Sequence, residues 1–136
     1  MSTEYHTKKR CKYMIKLHII LVTKYRKHIL NGEIDTDIKQ IIYDISKMED
    51  SLFTIDSMET DKDHLHMLVD IDPTVSATSI VSRIKQMSTI RIWKQYPTEL
   101  KKHYWGENTF WSDGYFVCST GDANMETIKK YIEEQG

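Results

Sequence analysis

The segment DKDHLHMLVDI, Asp61 to Ile71, sets two histidines on either side of one leucine. In an extended strand, side chains at i and i+2 share a face, so His64 and His66 converge while Leu65 points the other way. Folding needs no imidazoles at such positions, but the arrangement suits a metal ion. A second pair lies in NMETIKKYIEEQ (124–135), where Ile128, Tyr131, Ile132 and Gln135 recur at helical spacing on one stripe. Tyr131 and Gln135 stand one turn apart there. That helix alone fits a packing tyrosine and a terminal glutamine equally well.

Taken together, the two segments describe a chemistry. His64 and His66 supply two neutral nitrogens and Gln135 a carbonyl oxygen. Such a set, with positions left open, suits Mg²⁺ or Mn²⁺ handling phosphate oxygens. Tyr131 is a nucleophile of the kind that forms covalent intermediates, and a phosphodiester polarised by a divalent cation is a sensible target for it. A phenol with an ordinary pKa of about 10 holds little phenolate at neutral pH. A nearby cation and Lys129 or Lys130 favour the deprotonated form. Asp61 and Asp63 border the histidine strand; they either orient an imidazole from behind or are hairpin-turn acids in water.

Composition sets the frame for these residues. The chain has 136 residues, 40 % hydrophobic and 29 % charged, and reads as a single domain over 1–136. A domain of this size buries a core without disulfides or a structural metal. Cys11 and Cys118 form no metal-ligand spacing and read as reduced thiols. The net charge of −1 argues mildly against a nucleic-acid partner. Its distribution argues the other way, because the first 30 residues carry a series of lysines and arginines against the single Glu4. The N-terminus is polar, and KKRCK reads either as a solvated tail or as part of a positive face. The apolar run from Tyr13 to Val22 is too short, and too interrupted by Lys16 and His18, to span a bilayer. No membrane association is expected, and the expected location is cytoplasmic.

Apolar periodicity then places the elements. KYMIKLHIILVT (12–23) predicts a strand, followed by a basic loop with Asn31-Gly32 as a turn. Ile38, Ile41, Ile42, Ile45 and Met48 predict a helix capped by Asp35 or Thr36. Residues 51–61 and 63–71 predict a hairpin of two strands linked around Asp61-Lys62. Ile80, Val81, Ile84, Met87 and Ile90 predict a second helix, with Ser76 or Thr78 as cap and Pro97 beyond its end. Residues 110–120 predict a strand broken near Gly114, and 124–135 a final helix. The resulting order, β-α-β-β-α-β-α, predicts an α+β, ferredoxin-like (split βαβ) antiparallel sheet with helices on one face.

The whole pattern resembles the single-tyrosine HUH transposases of bacterial and archaeal insertion sequences, in which HUH denotes histidine, hydrophobic residue, histidine. HLH at 64–66 carries that motif. VTKYRKHIL (22–30) is similar to the family's basic turn, and TDKDHLHMLVDIDP (60–73) to its metal strand. IVSRIKQMSTIRIWKQYP (80–97) is similar to its second helix, and FWSDGYFVCSTGDANMETIKKYIEEQ (110–135) to its last strand, hinge and tyrosine helix.

The resemblance implies that His64, His66 and Gln135 hold one Mg²⁺ or Mn²⁺. It implies that Tyr131 cleaves single-stranded DNA through a 5′-phosphotyrosine, which a 3′-hydroxyl then resolves without ATP. It further implies a homodimer recognising DNA hairpins at the ends of the element, with Gly121 as the hinge of the tyrosine helix. Lys24, Tyr25, Arg26, Lys27, His28 and Arg83 are the candidate DNA contacts, joined by Lys129 and Lys130. Two other functions fit the same residues. One is a non-catalytic ferredoxin-like module that binds single-stranded nucleic acid. The other is a monomeric tyrosine nuclease acting on repeated chromosomal hairpins.

Overall fold

The computed structural model describes residues 6–8, 11–119, 130 and 133. Its main sheet holds four antiparallel strands: β3 (Lys16–Val22), β4 (Phe53–Asp61), β5 (His64–Ile71) and β6 (Phe116–Ser119). Their spatial order is β4-β5-β3-β6, which is that of a split βαβ unit. The expected α+β class therefore holds. Two short strands, β1 (His6–Lys8) and β2 (Cys11–Tyr13), pair as an antiparallel hairpin ahead of this sheet. Lys8, Cys11 and Lys12 of KKRCK take part in this pairing, and the strand expected over 12–23 divides into β2 and β3.

The core lies on one face of the sheet. Ile19 and Leu21 of β3 and Leu65, Met67 and Val69 of β5 are fully buried. They belong to one apolar cluster with Ile38 and Ile42 of α1 (Gly32–Ser46) and Ile80 and Ile84 of α2 (Ala77–Gln95). Each such side chain contributes about 1.5–3 kcal/mol of burial, which fixes the strand register and thus the side of every alternate residue. The opposite face carries Lys16, His18, Ile20 and Val22 of β3 beside Asp70, Leu68, His66 and His64 of β5. The histidines therefore stand on the side of the sheet away from α1 and α2.

Helix boundaries differ from the expected ones in places that have physical causes. α1 starts at Gly32 behind an extended Asn31, not at Asp35 or Thr36. Gly32 takes φ +57°, a conformation glycine reaches at little cost. Asp35 instead sits in the first turn, where its carboxylate meets the positive end of the helix dipole and pairs with Lys39 at 3.1 Å. In α2 the Ser76 cap holds, its hydroxyl accepting from the Ser79 N–H at 3.1 Å. Its buried stripe runs through Ile84, Ser88 and Ile92, however, and leaves Ile90 58 % exposed. Ser88 is drawn inward because its hydroxyl accepts from the Trp111 indole N–H at 2.9 Å.

Pro97 does end α2 but also opens α3 (Pro97–His103), at a position where its missing N–H is not needed. The strand expected over 110–120 is interrupted as foreseen near Gly114. Trp111 makes an isolated bridge to Thr23, and only Phe116–Ser119 forms a ladder with β3. Of the expected last helix, Lys130 and Glu133 are helical and exposed. Gly121, Lys129, Tyr131 and Gln135 lie outside the described residues. No helix among the described residues is long and apolar enough to cross a membrane.

Candidate metal centre and the basic turn beside it

The two-residue link Lys62-Asp63 closes the β4–β5 hairpin, with Asp61 paired to His64 and Lys62 at φ +53°. The tight turn directs Asp63 inward, where it is 7 % exposed. One carboxylate oxygen of Asp63 accepts from Arg26 Nε at 2.8 Å, and the other lies 3.3 Å from His64 Nδ1. Burial by itself raises the Asp63 pKa, but the hydrogen bonds from Arg26 and His64 outweigh it and hold the carboxyl below the usual range. With Nδ1 turned to this carboxylate, Nε2 is the His64 nitrogen left for a cation. Carboxylate–histidine–metal relays have this form. Asp61, the other candidate for that role, is exposed.

His66 is half-buried, and its Nε2 lies 2.7 Å from Nδ1 of His18 on β3. The two residues are diagonal neighbours across the β3–β5 ladder, with His66 opposite Ile20 and His18 opposite Leu68. Burial lowers the pKa of both rings, and the His18 charge further disfavours protonation of His66. Both imidazoles are therefore neutral at neutral pH, the state that binds metal. The sequence reading missed His18, treating it as a polar interruption of an apolar strand. The available signal was parity: a histidine at an even step from Lys16 in β3 lies on the face away from α1 and α2, and antiparallel pairing carries it toward HLH.

On β4, Glu59 stands opposite His66 and Asp61 opposite His64. Among the described residues, no three side chains of His, Cys, Asp or Glu gather closely enough to hold a metal ion. His64 and His66 offer part of a ligand set, and a further ligand has to come from elsewhere. Gln135 is the sequence candidate.

Next to this pair, Lys24–Arg26 forms a single 3-10 turn with an unusual backbone. Tyr25 (φ +59°) and Arg26 (φ +51°) are consecutive non-glycine residues in the left-handed region. Such residues cost of order 1–3 kcal/mol each and persist only where the surroundings hold them. Here the Thr23 hydroxyl donates to the Lys27 carbonyl at 2.8 Å, and the Tyr104 hydroxyl to the Lys24 carbonyl at 3.0 Å. The Tyr25 hydroxyl donates to Glu107 at 2.9 Å. The turn thereby aims Arg26 at Asp63 and leaves the Tyr25 ring 56 % exposed.

Arg26 also donates through Nη1 to the backbone carbonyl of Glu133, at 3.4 Å. Glu133 lies in sequence between Tyr131 and Gln135. The other basic candidates are spread more widely. Lys24 meets Asp113 at 3.3 Å, Lys27 is partly exposed, and His28 and Lys130 are exposed. Arg83 pairs with Asp50 at 2.8 Å on the helical side of the sheet, away from the imidazoles. Of the aromatic residues between α3 and β6, Tyr104, Phe110 and Trp111 are core residues, while Trp105 is 91 % exposed.

Comparison with known proteins bears on the family and the fold. Residues 11–135 match the family described as "Transposase IS200 like". The chain is 33 % identical over 123 residues to the ISDra2 transposase TnpA of Deinococcus radiodurans, covering 90 % of this chain and 85 % of that one. It is 32 % identical over 130 residues to the transposase for insertion sequence element IS200 of Salmonella typhimurium, covering 96 % and 80 %. A crystal structure from Deinococcus radiodurans R1, described as a transposase, superposes with a TM-score of 0.86 at 27 % identity, covering 96 % of this chain and 97 % of that one. A REP-associated tyrosine transposase bound to a REP hairpin shares the fold, with a TM-score of 0.55 at 12 % identity over 95 % of this chain and 70 % of that one. With two partly buried imidazoles, His64 and His66, on the face of a split βαβ sheet away from α1 and α2 and a family match over residues 11–135, this chain belongs to the IS200-like transposases.

Proposed function

We propose that this protein cleaves and rejoins single-stranded DNA at the ends of an insertion sequence, through a covalent 5′-phosphotyrosine on Tyr131. His64, His66 and Gln135 would hold one Mg²⁺ or Mn²⁺. When bound, that cation supplies Lewis-acid polarisation of the scissile phosphate. The phenol oxygen of Tyr131 forms a bond to phosphorus as the bond to the 3′-oxygen breaks, and the 3′-oxygen leaves as a hydroxyl. A 3′-hydroxyl from another end then attacks the phosphotyrosine, restoring a phosphodiester and the free phenol. One bond forms for each bond broken, so no nucleotide cofactor is required.

The observation that carries this reading is the chain of contacts from His64 through Asp63 to Arg26 and on to the Glu133 carbonyl. It ties the histidine strand to the segment that contains Tyr131 and Gln135. Asp63 orients His64, while Lys24, Tyr25, Lys27 and His28 line the exposed side of the turn, where phosphates and bases can be met. Lys129 and Lys130 add positive charge on the tyrosine segment. DNA hairpins at the element's ends are the proposed substrate feature and a homodimer the proposed assembly, with Gly121 as hinge.

The test is adduct formation. Full-length protein, Mn²⁺ and a labelled single-stranded oligonucleotide carrying an element end should give a band stable to denaturant. Tyr131→Phe and chelator should each abolish it. Cleavage that survives Tyr131→Phe would remove the phosphotyrosine from the account. Nucleic-acid binding with no adduct under any metal would favour the non-catalytic module.

A further inference from the structure

We propose that His18 is a positioning residue for the metal centre, holding His66 by accepting its Nε2–H so that Nδ1 is the nitrogen presented to a cation. This inference rests on the reading of His64 and His66 as metal ligands and adds to it the residue that sets which nitrogen of His66 binds.

The geometry leads there in three steps. A neutral imidazole has one donor and one acceptor nitrogen. His18 Nδ1 and His66 Nε2 are 2.7 Å apart, so one of these two nitrogens carries the shared proton. If His18 donated, both nitrogens of His66 would be engaged or protonated and the ring would have no lone pair to offer. If His66 donates from Nε2, its Nδ1 keeps a lone pair, and the ring can serve as a ligand. With the His18 contact kept, only the second arrangement leaves His66 a lone pair for a cation.

The surroundings hold the donor–acceptor pair in place. His18 and His66 sit on adjacent central strands whose register runs unbroken from Lys16↔Asp70 to Val22↔His64. The ring centroids are 4.9 Å apart with planes inclined by 36°, an offset compatible with the hydrogen bond. His66 thus receives from His18 what His64 receives from Asp63: a partner on the nitrogen that does not bind metal. The two supports differ in chemistry. Asp63 is a carboxylate that enriches its ring in electron density, whereas His18 is a neutral acceptor that orients without adding charge.

The experiment uses metal-free full-length protein and two readouts. In calorimetric titration with Mn²⁺, His18→Phe should bind roughly 10- to 100-fold more weakly than wild type, the usual cost of losing such a supporting hydrogen bond. His18→Gln, whose side-chain carbonyl accepts the same N–H, should recover most of that loss. Ring-nitrogen chemical shifts of metal-free wild type should show the proton of His66 on Nε2. A Phe variant that binds Mn²⁺ as tightly as wild type overturns the inference. So does a proton on Nδ1 of His66, a result obtainable even where His18→Phe fails to fold. A wild-type chain that binds no Mn²⁺ while showing the Nε2 tautomer would strike the underlying metal reading, and the positioning role with it.

Discussion

Arg26 Nε donates to Asp63 at 2.8 Å, and the same carboxylate lies 3.3 Å from His64 on its other oxygen. A strained basic turn and the histidine strand are therefore joined through one buried acid. Arg26→Ala leaves that acid without its main partner. The expected loss is about 1–3 kcal/mol, toward the lower end because the Arg26 side chain is 35 % exposed. Arg26→Lys keeps the charge but not the planar donor, and should fall between. Urea unfolding of the three proteins checks this, and equal midpoints would show that the pair orders nothing.

The Ser88–Trp111 contact gives a second prediction, confined to the core. Both residues are buried and the indole N–H has its hydroxyl acceptor at 2.9 Å. Ser88→Ala strands a buried donor and should cost roughly 1–3 kcal/mol. Adding Trp111→Phe to that background removes the stranded N–H, so the second change should be less damaging in the variant than in wild type. A double-mutant cycle with no coupling would rule the hydrogen bond out as the reason Ser88 faces inward.

Lys62 occupies the left-handed region at φ +53° in the hairpin link and its side chain is exposed. A non-glycine residue there costs roughly 1–2 kcal/mol, and glycine's extra unfolded-state freedom offsets about 0.5–1 kcal/mol of the relief. Lys62→Gly should therefore raise stability slightly. The gain should appear as a higher unfolding temperature for the metal-free chain, and a lowered one would contradict the backbone assignment.

Tyr96 provides a pH signature on the far side of the molecule. Its hydroxyl donates to the Asp37 carboxylate, which pushes the phenol up to about 12. A raised pKa means the contact stabilises fully below the ordinary phenol value of about 10 and is lost as pH climbs through about 12. Ultraviolet titration of phenolate should show one of the eight tyrosines shifting to lower pH in Asp37→Ala. Tyr104, raised mainly by burial, should not move. An unchanged titration curve would mean the hydrogen bond is absent in solution.

The sequence exposed those parts of this architecture that depend on local pattern. Alternation placed β4 and β5, helical spacing placed α1 and α2, and HLH marked two side chains on one face. What it could not expose depends on register between distant strands. His18 reaches His66 only because β3 lies antiparallel beside β5, and Asp63 meets Arg26 only because a left-handed turn redirects the chain after β3. Ser88 inside α2 broke the apolar stripe because a hydrogen bond, not hydrophobicity, buried it. The polar KKRCK segment hid a hairpin for a similar reason, since backbone pairing leaves no apolar signature.

The central claim is that His64, His66 and Gln135 share one cation with Tyr131 beside it. A crystal structure of the full chain with Mn²⁺ and a hairpin oligonucleotide tests it most directly, because the anomalous signal locates the ion independently of any interpretation of side chains. The account predicts one Mn²⁺ bonded to both imidazoles and the Gln135 carbonyl, with the Tyr131 hydroxyl facing the scissile phosphate. An ion bound elsewhere, with Tyr131 remote from the imidazoles in every subunit, would contradict it.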